Sequence, residues 1–124
     1  MIANPTVPVG SSTTITASIP GDEGLPYLMP ISLGANNGIT LPDGRVFPLD
    51  LDSVLEFTLD PLNPILVGSF GLLDAQGQGT ATFNVPALPW LSGLTVYSAA
   101  LTLDAPTFPL IRTIVSAPVA VTIQ

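Results

Sequence analysis

Nine carboxylates, two arginines and two tyrosines make up the ionisable side chains of this 124-residue chain, which has no histidine, lysine or cysteine. A serine or threonine nucleophile therefore has no ordinary side-chain base to activate it, and thiol chemistry is excluded. Acid–base work would fall to carboxylates alone. Asp50 and Asp52 lie two apart, so they would share one face of an extended strand, with Glu23, Asp74 or Asp104 as a third member. A glycosidase needs two carboxyls across a substrate cleft, and an aspartic dyad needs them in contact. The chain carries no Asp-Thr/Ser-Gly signature, so the expectation is a protein that is not an enzyme.

The same acids suit a hard cation better, because calcium takes carboxylate and carbonyl oxygens from loops. Asp50 and Asp52, followed by Ser53, are the candidate metal ligands, and Asp22-Glu23 is a second possible start. Neither has the spaced oxygens of a calcium loop, so ordinary solvated acids are the competing reading. Calcium is the one cofactor considered. Trp90 sits in a proline-bounded loop, where an exposed indole could stack on a sugar ring, with Tyr27 or Phe108 as a second wall. The competing role, and the commoner one for a large ring, is to close the end of the core with Leu88 and Leu91. Tyr97 is expected in the core or on a strand face.

The elements that must position these residues are strands. Ala81, Phe83 and Val85 alternate with Thr80, Thr82 and Asn84, and Ile15, Ala17 and Ile19 alternate with Thr14, Thr16 and Ser18, the period of two of half-buried strands. Asp74-Ala75-Gln76-Gly77 is a turn by its first and fourth residues, which makes residues 67–73 the first arm of a hairpin. Leu41-Pro42-Asp43-Gly44 reads as a type I turn with a glycine bulge between arms 39–41 and 45–49. Met29, Ile31 and Leu33 mark one further strand, and Leu55, Phe57 and Leu59 another that stops at Asp60-Pro61. Residues 94–103 are apolar on both faces, which predicts a central strand or a bulge near 97–99. Residues 105–109 are a loop, and 111–115 and 119–123 form a last strand broken by Pro118, with Val119, Val121 and Ile123 inward. About eight or nine short strands with no helical periodicity predict an all-β fold. A sandwich or a small closed barrel would satisfy the pattern; an antiparallel β-sandwich, Ig-like or jelly-roll-like, is preferred. Residues 1–10 form an extended N-terminal arm and 11–124 a single domain.

Composition narrows the partners. Charged residues are 9% of the chain against roughly 25% in an average domain, and mean hydropathy is positive. A net charge of −7 opposes phosphate backbones, so no nucleic acid is expected. No apolar run reaches membrane-spanning length, so no transmembrane segment is expected, and no basic region followed by an apolar core opens the chain as a signal peptide would. The absence of cysteine rules out disulfides without assigning a compartment.

The stretch GLLDAQGQGTATFNVPALPWLSGLTVYSAALTLD, followed by IRTIVSAPVAVTI, resembles a tail β-sandwich module of secreted bacterial proteins. The resemblance lies in a Gly-x-x-Asp-x-x-Gly turn, a Leu-x-Gly-Leu-x-x-Tyr strand and a closing Ser-x-x-Val-x-x-Thr-Ile strand, and covers about residues 47–123. It implies an extracellular or cell-surface β-sandwich and transfers no activity or catalytic residue. The functional expectation is a non-enzymatic structural or adhesion module that associates with itself into an oligomer or fibre. Its arm, with Ile2, Val7 and Val9 between prolines, would add a strand to a neighbour. The alternatives are a glycan-binding module using the loop aromatics and a calcium-stabilised surface domain.

Overall fold

A computed structural model of the chain describes residues 6–41, 44–60, 62–103, 111–114 and 119–124. In chain order its strands are β1 (Thr6–Val7), β2 (Ser12–Ser18), β3 (Pro26–Leu28), β4 (Ile31–Ser32), β5 (Ile39–Thr40) and β6 (Val46–Phe47). A helix, α1 (Ser53–Leu59), follows, then β7 (Leu66–Val67), β8 (Phe70–Leu72), β9 (Gln78–Asn84), a 3-10 turn at Pro89–Leu91, β10 (Thr95–Ser98), β11 (Leu101–Leu103), β12 (Ile111–Ile114) and β13 (Val119–Ile123). The fold is all-β and sandwich-like, with sheets ordered β1-β13-β10-β4, β12-β11-β3-β8 and β2-β9-β7 and a β5-β6 hairpin.

The strands among the described residues number thirteen rather than eight or nine because strands break where the backbone cannot continue a ladder and because Pro26–Leu28, ahead of the strand expected at Met29 to Leu33, pairs as a strand of its own. Pro30, which has no N–H, separates β3 from β4, and Ala99-Ala100 separate β10 from β11. The pairing survives both breaks in one register: Leu28 faces Leu101 and Ile31 faces Ser98. Two of the sheets are thus halves of one bent sheet, with residues 95–103 as its central strand. Its register against β12 slips between Leu101 and Leu103. Residues 67–73 divide at Gly68 (φ 86°), so β7 pairs with β9 while β8 crosses to β3. The expected first arm of a hairpin therefore serves two different sheets.

The alternating strands bury what their period requires. Ile15, Ile19, Ala81, Phe83 and Val85 enter the main core, and β2 and β9 pair without a bulge from Ser12↔Asn84 to Ser18↔Gln78. Asp74 accepts hydrogen bonds from Gln76 N and Gln78 N, and Gly77 has φ 75°, as the turn demands. In β13, Val121 and Ile123 are buried, whereas Val119 is 37% exposed and departs from its expected inward position. A second cluster around Phe47, Leu49 and Leu101 lies beneath the β5-β6 hairpin. Gly44 (φ 92°) donates its N–H to Leu41 C=O across that hairpin's turn, while Pro42 and Asp43 lie outside the described residues.

Residues 53–59 form a helix where a strand was expected. The alternation of Leu55, Phe57 and Leu59 is not the pattern that is buried: Leu55 and Thr58, three apart, face inward, while Phe57 and Leu59 are exposed. Asp52 caps the helix, its Oδ1 accepting from Leu55 N at 2.8 Å. The buried Asn63 closes the other end, donating through Nδ2 to Asp60 C=O (2.6 Å) and accepting from Leu66 N. Asp52 ahead of an apolar run was the local signal for this start.

The two ends of the described chain meet. β1 runs parallel to β13 at a sheet edge, with Val7 1% exposed in the main core and Val9 packed against it. Val9 N donates to Gln124 C=O. The described part of the N-terminal segment is thus built into its own domain, and Ile2 lies outside the described residues.

Candidate functional site

Helix α1 is held against β4 by one buried hydroxyl. Thr58 Oγ1 accepts from Ile31 N (3.0 Å) and donates back to Val54 C=O (3.0 Å), an internal use that a helical threonine tolerates. Asp52 adds a second tie, its Oδ2 accepting from Ser32 Oγ (2.8 Å) and Leu33 N (2.9 Å). Opposite the helix, Pro86 and Pro89 force the chain out of the sheet after β9 into the 3-10 turn, whose Leu91 N donates to Leu88 C=O. The chain returns through Gly93 (φ 94°), with Gly93 N donating to Ile123 C=O.

Between the helix and the 3-10 turn lies a cleft of about 460 Å³. Ile31, Val96 and Ile123 from the core form its floor. Leu33, Phe57, Leu88, Trp90 and Leu94 form its rim, and each is exposed. Trp90 is 71% exposed and does not close the core; of the turn that carries it, Leu91 packs against the main core and no residue is fully buried. Among the described residues the lining contains no charged side chain, and its polar members are Ser53 and Thr58, the latter already bonded. Such a surface strips water from apolar groups and offers almost nothing to a polar one.

The other expected site residues are placed elsewhere. Tyr27 is 5% exposed, with its hydroxyl donating to Gly68 C=O (3.0 Å) and Thr80 C=O (3.1 Å), so it is a core strut and does not line the cleft with Trp90. Burial pushes its hydroxyl pKa up, partly offset by the Thr80 hydrogen bond. Phe108 and Asp104 lie outside the described residues, as do the 105–109 loop, Val115 and Pro118.

Asp50 and Asp52 both clamp the segment after β4. Asp50 Oδ1 accepts from the N–H groups of Asn36 (3.1 Å), Asn37 (2.6 Å) and Gly38 (3.2 Å), while Asp52 holds Ser32, Leu33 and the start of α1. Burial alone would raise the Asp52 pKa, but the hydrogen bonds from Leu55, Leu33 and Ser32 outweigh it and hold the carboxyl below its ordinary range. Backbone N–H groups therefore point at oxygens that a calcium ion would need. No group of three or more His, Cys, Asp or Glu side chains that could hold a metal occurs among the described residues. Asp22, expected in a solvated loop, is 4% exposed and accepts from the buried Thr102 Oγ1 at 2.7 Å. Glu23 accepts from Gly21 N and Asp74 serves its turn, so neither joins Asp50 and Asp52.

The sequence pointed to Trp90 and placed Leu88 and Leu91 beside it, but not Leu33, Phe57 or Leu94. Leu33 follows β4, Phe57 lies on α1, and Leu88 and Leu94 flank the 3-10 turn, so the rim joins three separate segments, and only an apolar excess hinted at an uncovered surface. Among the described residues, no helix is long and apolar enough to cross a membrane. No family model matches the chain, and no curated protein matches it either.

Proposed function

We propose that this chain is a non-enzymatic interaction module of a structural or adhesive protein outside the cell, working through the apolar face around Trp90. One observation carries the reading: a large indole stands 71% exposed on the rim of a cleft whose described lining holds no charged side chain. A contiguous exposed apolar patch of this kind marks a contact surface more often than an accident of folding. The non-enzymatic part is supported by the missing histidine, lysine and cysteine and by the structural use of Asp50 and Asp52. The extracellular part is supported by the low charge content and by the resemblance of residues 47–123 to a secreted tail module.

An apolar guest is favoured over a sugar. Stacking would use Trp90, but sugar hydroxyls also need donors and acceptors, and the described lining supplies only Ser53 beyond the committed Thr58. Trp90 is the sole tryptophan, so its fluorescence reports on the cleft directly. Titrating dilute protein with the neutral probe N-phenyl-1-naphthylamine should give saturable uptake with a blue-shifted Trp90 emission. Leu88→Asp should lose that uptake while keeping the wild-type melting temperature. Folded wild-type protein that takes up no probe would remove the proposal.

A further inference from the structure

We infer that the open edge of β2 accepts a further strand: an extended segment of a partner polypeptide, neutral or basic, with a small branched aliphatic residue at every second position. This site is separate from the Trp90 face and does not rest on the reading above. The sheet order β2-β9-β7 leaves β2 with one partner. Val85 N donates to Ser11 C=O at one end of that pairing and Ile19 N to Gly77 C=O at the other, and the register between them does not slip. Odd-numbered residues therefore bond to β9, and Ser12, Thr14, Thr16 and Ser18 turn their N–H and C=O groups to the open side. Among the described residues no strand pairs with that row.

Sheet edges are ordinarily blunted by brevity, charge, proline or a bulge. The other edge strands among the described residues follow that rule: β1, β4 and β7 have two residues each, β8 has three, and the four of β12 include Arg112. β2 has seven, STTITAS, with no charge, proline or bulge.

A second feature lies along the same edge. A notch of about 110 Å³ opens between β2, at Ala17 and Ser18, and the bent sheet, at Ala99, Ala100 and Val119, and its described lining holds no charged side chain. Val119 is 37% exposed although Val121 and Ile123, on the same alternation, are buried. Ala17 is only half-buried between the buried Ile15 and Ile19. The inward row is thus uncovered just where the ladder is unpaired. An added strand supplies both missing parts: backbone to the free N–H and C=O groups, and a side chain opposite Ala17 to the notch. A cavity of ~150 Å³ holds a benzene ring, so this smaller one takes an isopropyl group and no aromatic side chain. The β2 edge of a second copy does not fit, because its own Ile15 and Ile19 are buried in its core. The net charge of −7 favours a neutral or basic segment.

Fluorescence polarisation with a fluorescein-labelled heptapeptide amide, Arg-Thr-Val-Thr-Val-Thr-Arg, tests this. Binding to wild type should be saturable. Two N-methylated peptides, one methylated on its threonine nitrogens and one on its valine nitrogens, carry the same charge and lose donors on opposite edges. One should bind at least about tenfold more weakly, and the other, whose methyl groups face solvent, about as the parent does. Thr16→Pro removes an outward N–H and leaves the ladder to β9 intact, so it should weaken binding by a similar factor, whereas Leu88→Asp should bind as wild type does. Folded wild-type protein that leaves the peptide unbound, equal loss from both methylated peptides, or undiminished binding in folded Thr16→Pro would each overturn the inference. Loss of binding in Leu88→Asp would place the peptide at the Trp90 cleft and overturn it as well. Should Thr16→Pro fail to fold, the methylated pair still decides.

Discussion

Replacing Tyr27 with phenylalanine removes one oxygen and keeps the ring, so the cost of the hydroxyl can be read almost alone. The ring lies against two glycines: a Cβ on Gly79 would come within 2.7 Å of Tyr27 Cε1, and one on Gly71 within 3.1 Å. From there the hydroxyl donates to Gly68 and Thr80 carbonyls at 3.0 and 3.1 Å. Gly68 is where the chain leaves the β9 sheet for the β3 sheet, so this proton ties the crossing point to both. A hydroxyl has one proton to share, and losing it leaves two part-buried carbonyls short of a donor. The expected cost is about 1–2 kcal/mol, or a fall of roughly 4–8 °C in Tm for a chain of this length.

The pH dependence gives a second, independent reading. Burial raises the Tyr27 pKa above the free value of 10.0. The folded state therefore favours the neutral phenol; this contribution is present in full below pH 10.0 and is lost as pH rises through the folded pKa. Urea denaturation of wild type and Tyr27→Phe, from neutral to strongly alkaline pH, should give curves a constant distance apart below pH 10.0 that draw together as pH rises from 10.0 through the folded pKa. A difference below about 0.5 kcal/mol at neutral pH, the size of an ordinary surface substitution, together with parallel alkaline limbs, would refute the strut.

Asp52→Ala should cost about 2 kcal/mol through loss of the helix cap and its partners on Ser32 and Leu33, measured by urea melts. Because hydrogen bonding holds the folded Asp52 pKa below the free value of 3.8, wild type keeps this contribution above that pH and loses it as pH falls through the folded pKa. Asp52→Asn should flatten that acid limb, and an unchanged limb would count against the clamp. Gly77→Ala should cost roughly 2–3 kcal/mol, because φ 75° is strained for alanine and the added Cβ would lie 2.7 Å from Ile19 C=O. A wild-type thermal midpoint in that variant would rule out the turn conformation.

Much of the architecture was legible because its signals are local. Period two in β2 and β9, the Asp74 to Gly77 turn and the two-faced apolar run of residues 95–103 each depend on neighbours a few positions apart, and the structure contains all three. The helix was not legible, because Leu55, Phe57 and Leu59 imitate a strand over a segment too short to show a helical period. What decided it was the pair of end groups, Asp52 and Asn63, acting on backbone that a strand would have left to a ladder.

The sequence by itself determined an all-β chain poor in proton carriers, since composition and alternation need no partner to be read. The tertiary structure alone decided what its prominent side chains do. Tyr27 became a strut and Asp50 and Asp52 became clamps, while Trp90 remained in solvent beside a hollow assembled from residues as far apart as Ile31 and Ile123. The reason is physical: whether a ring or a carboxylate is buried, bonded or bare depends on which distant segments pack against it, and local spacing carries no record of that.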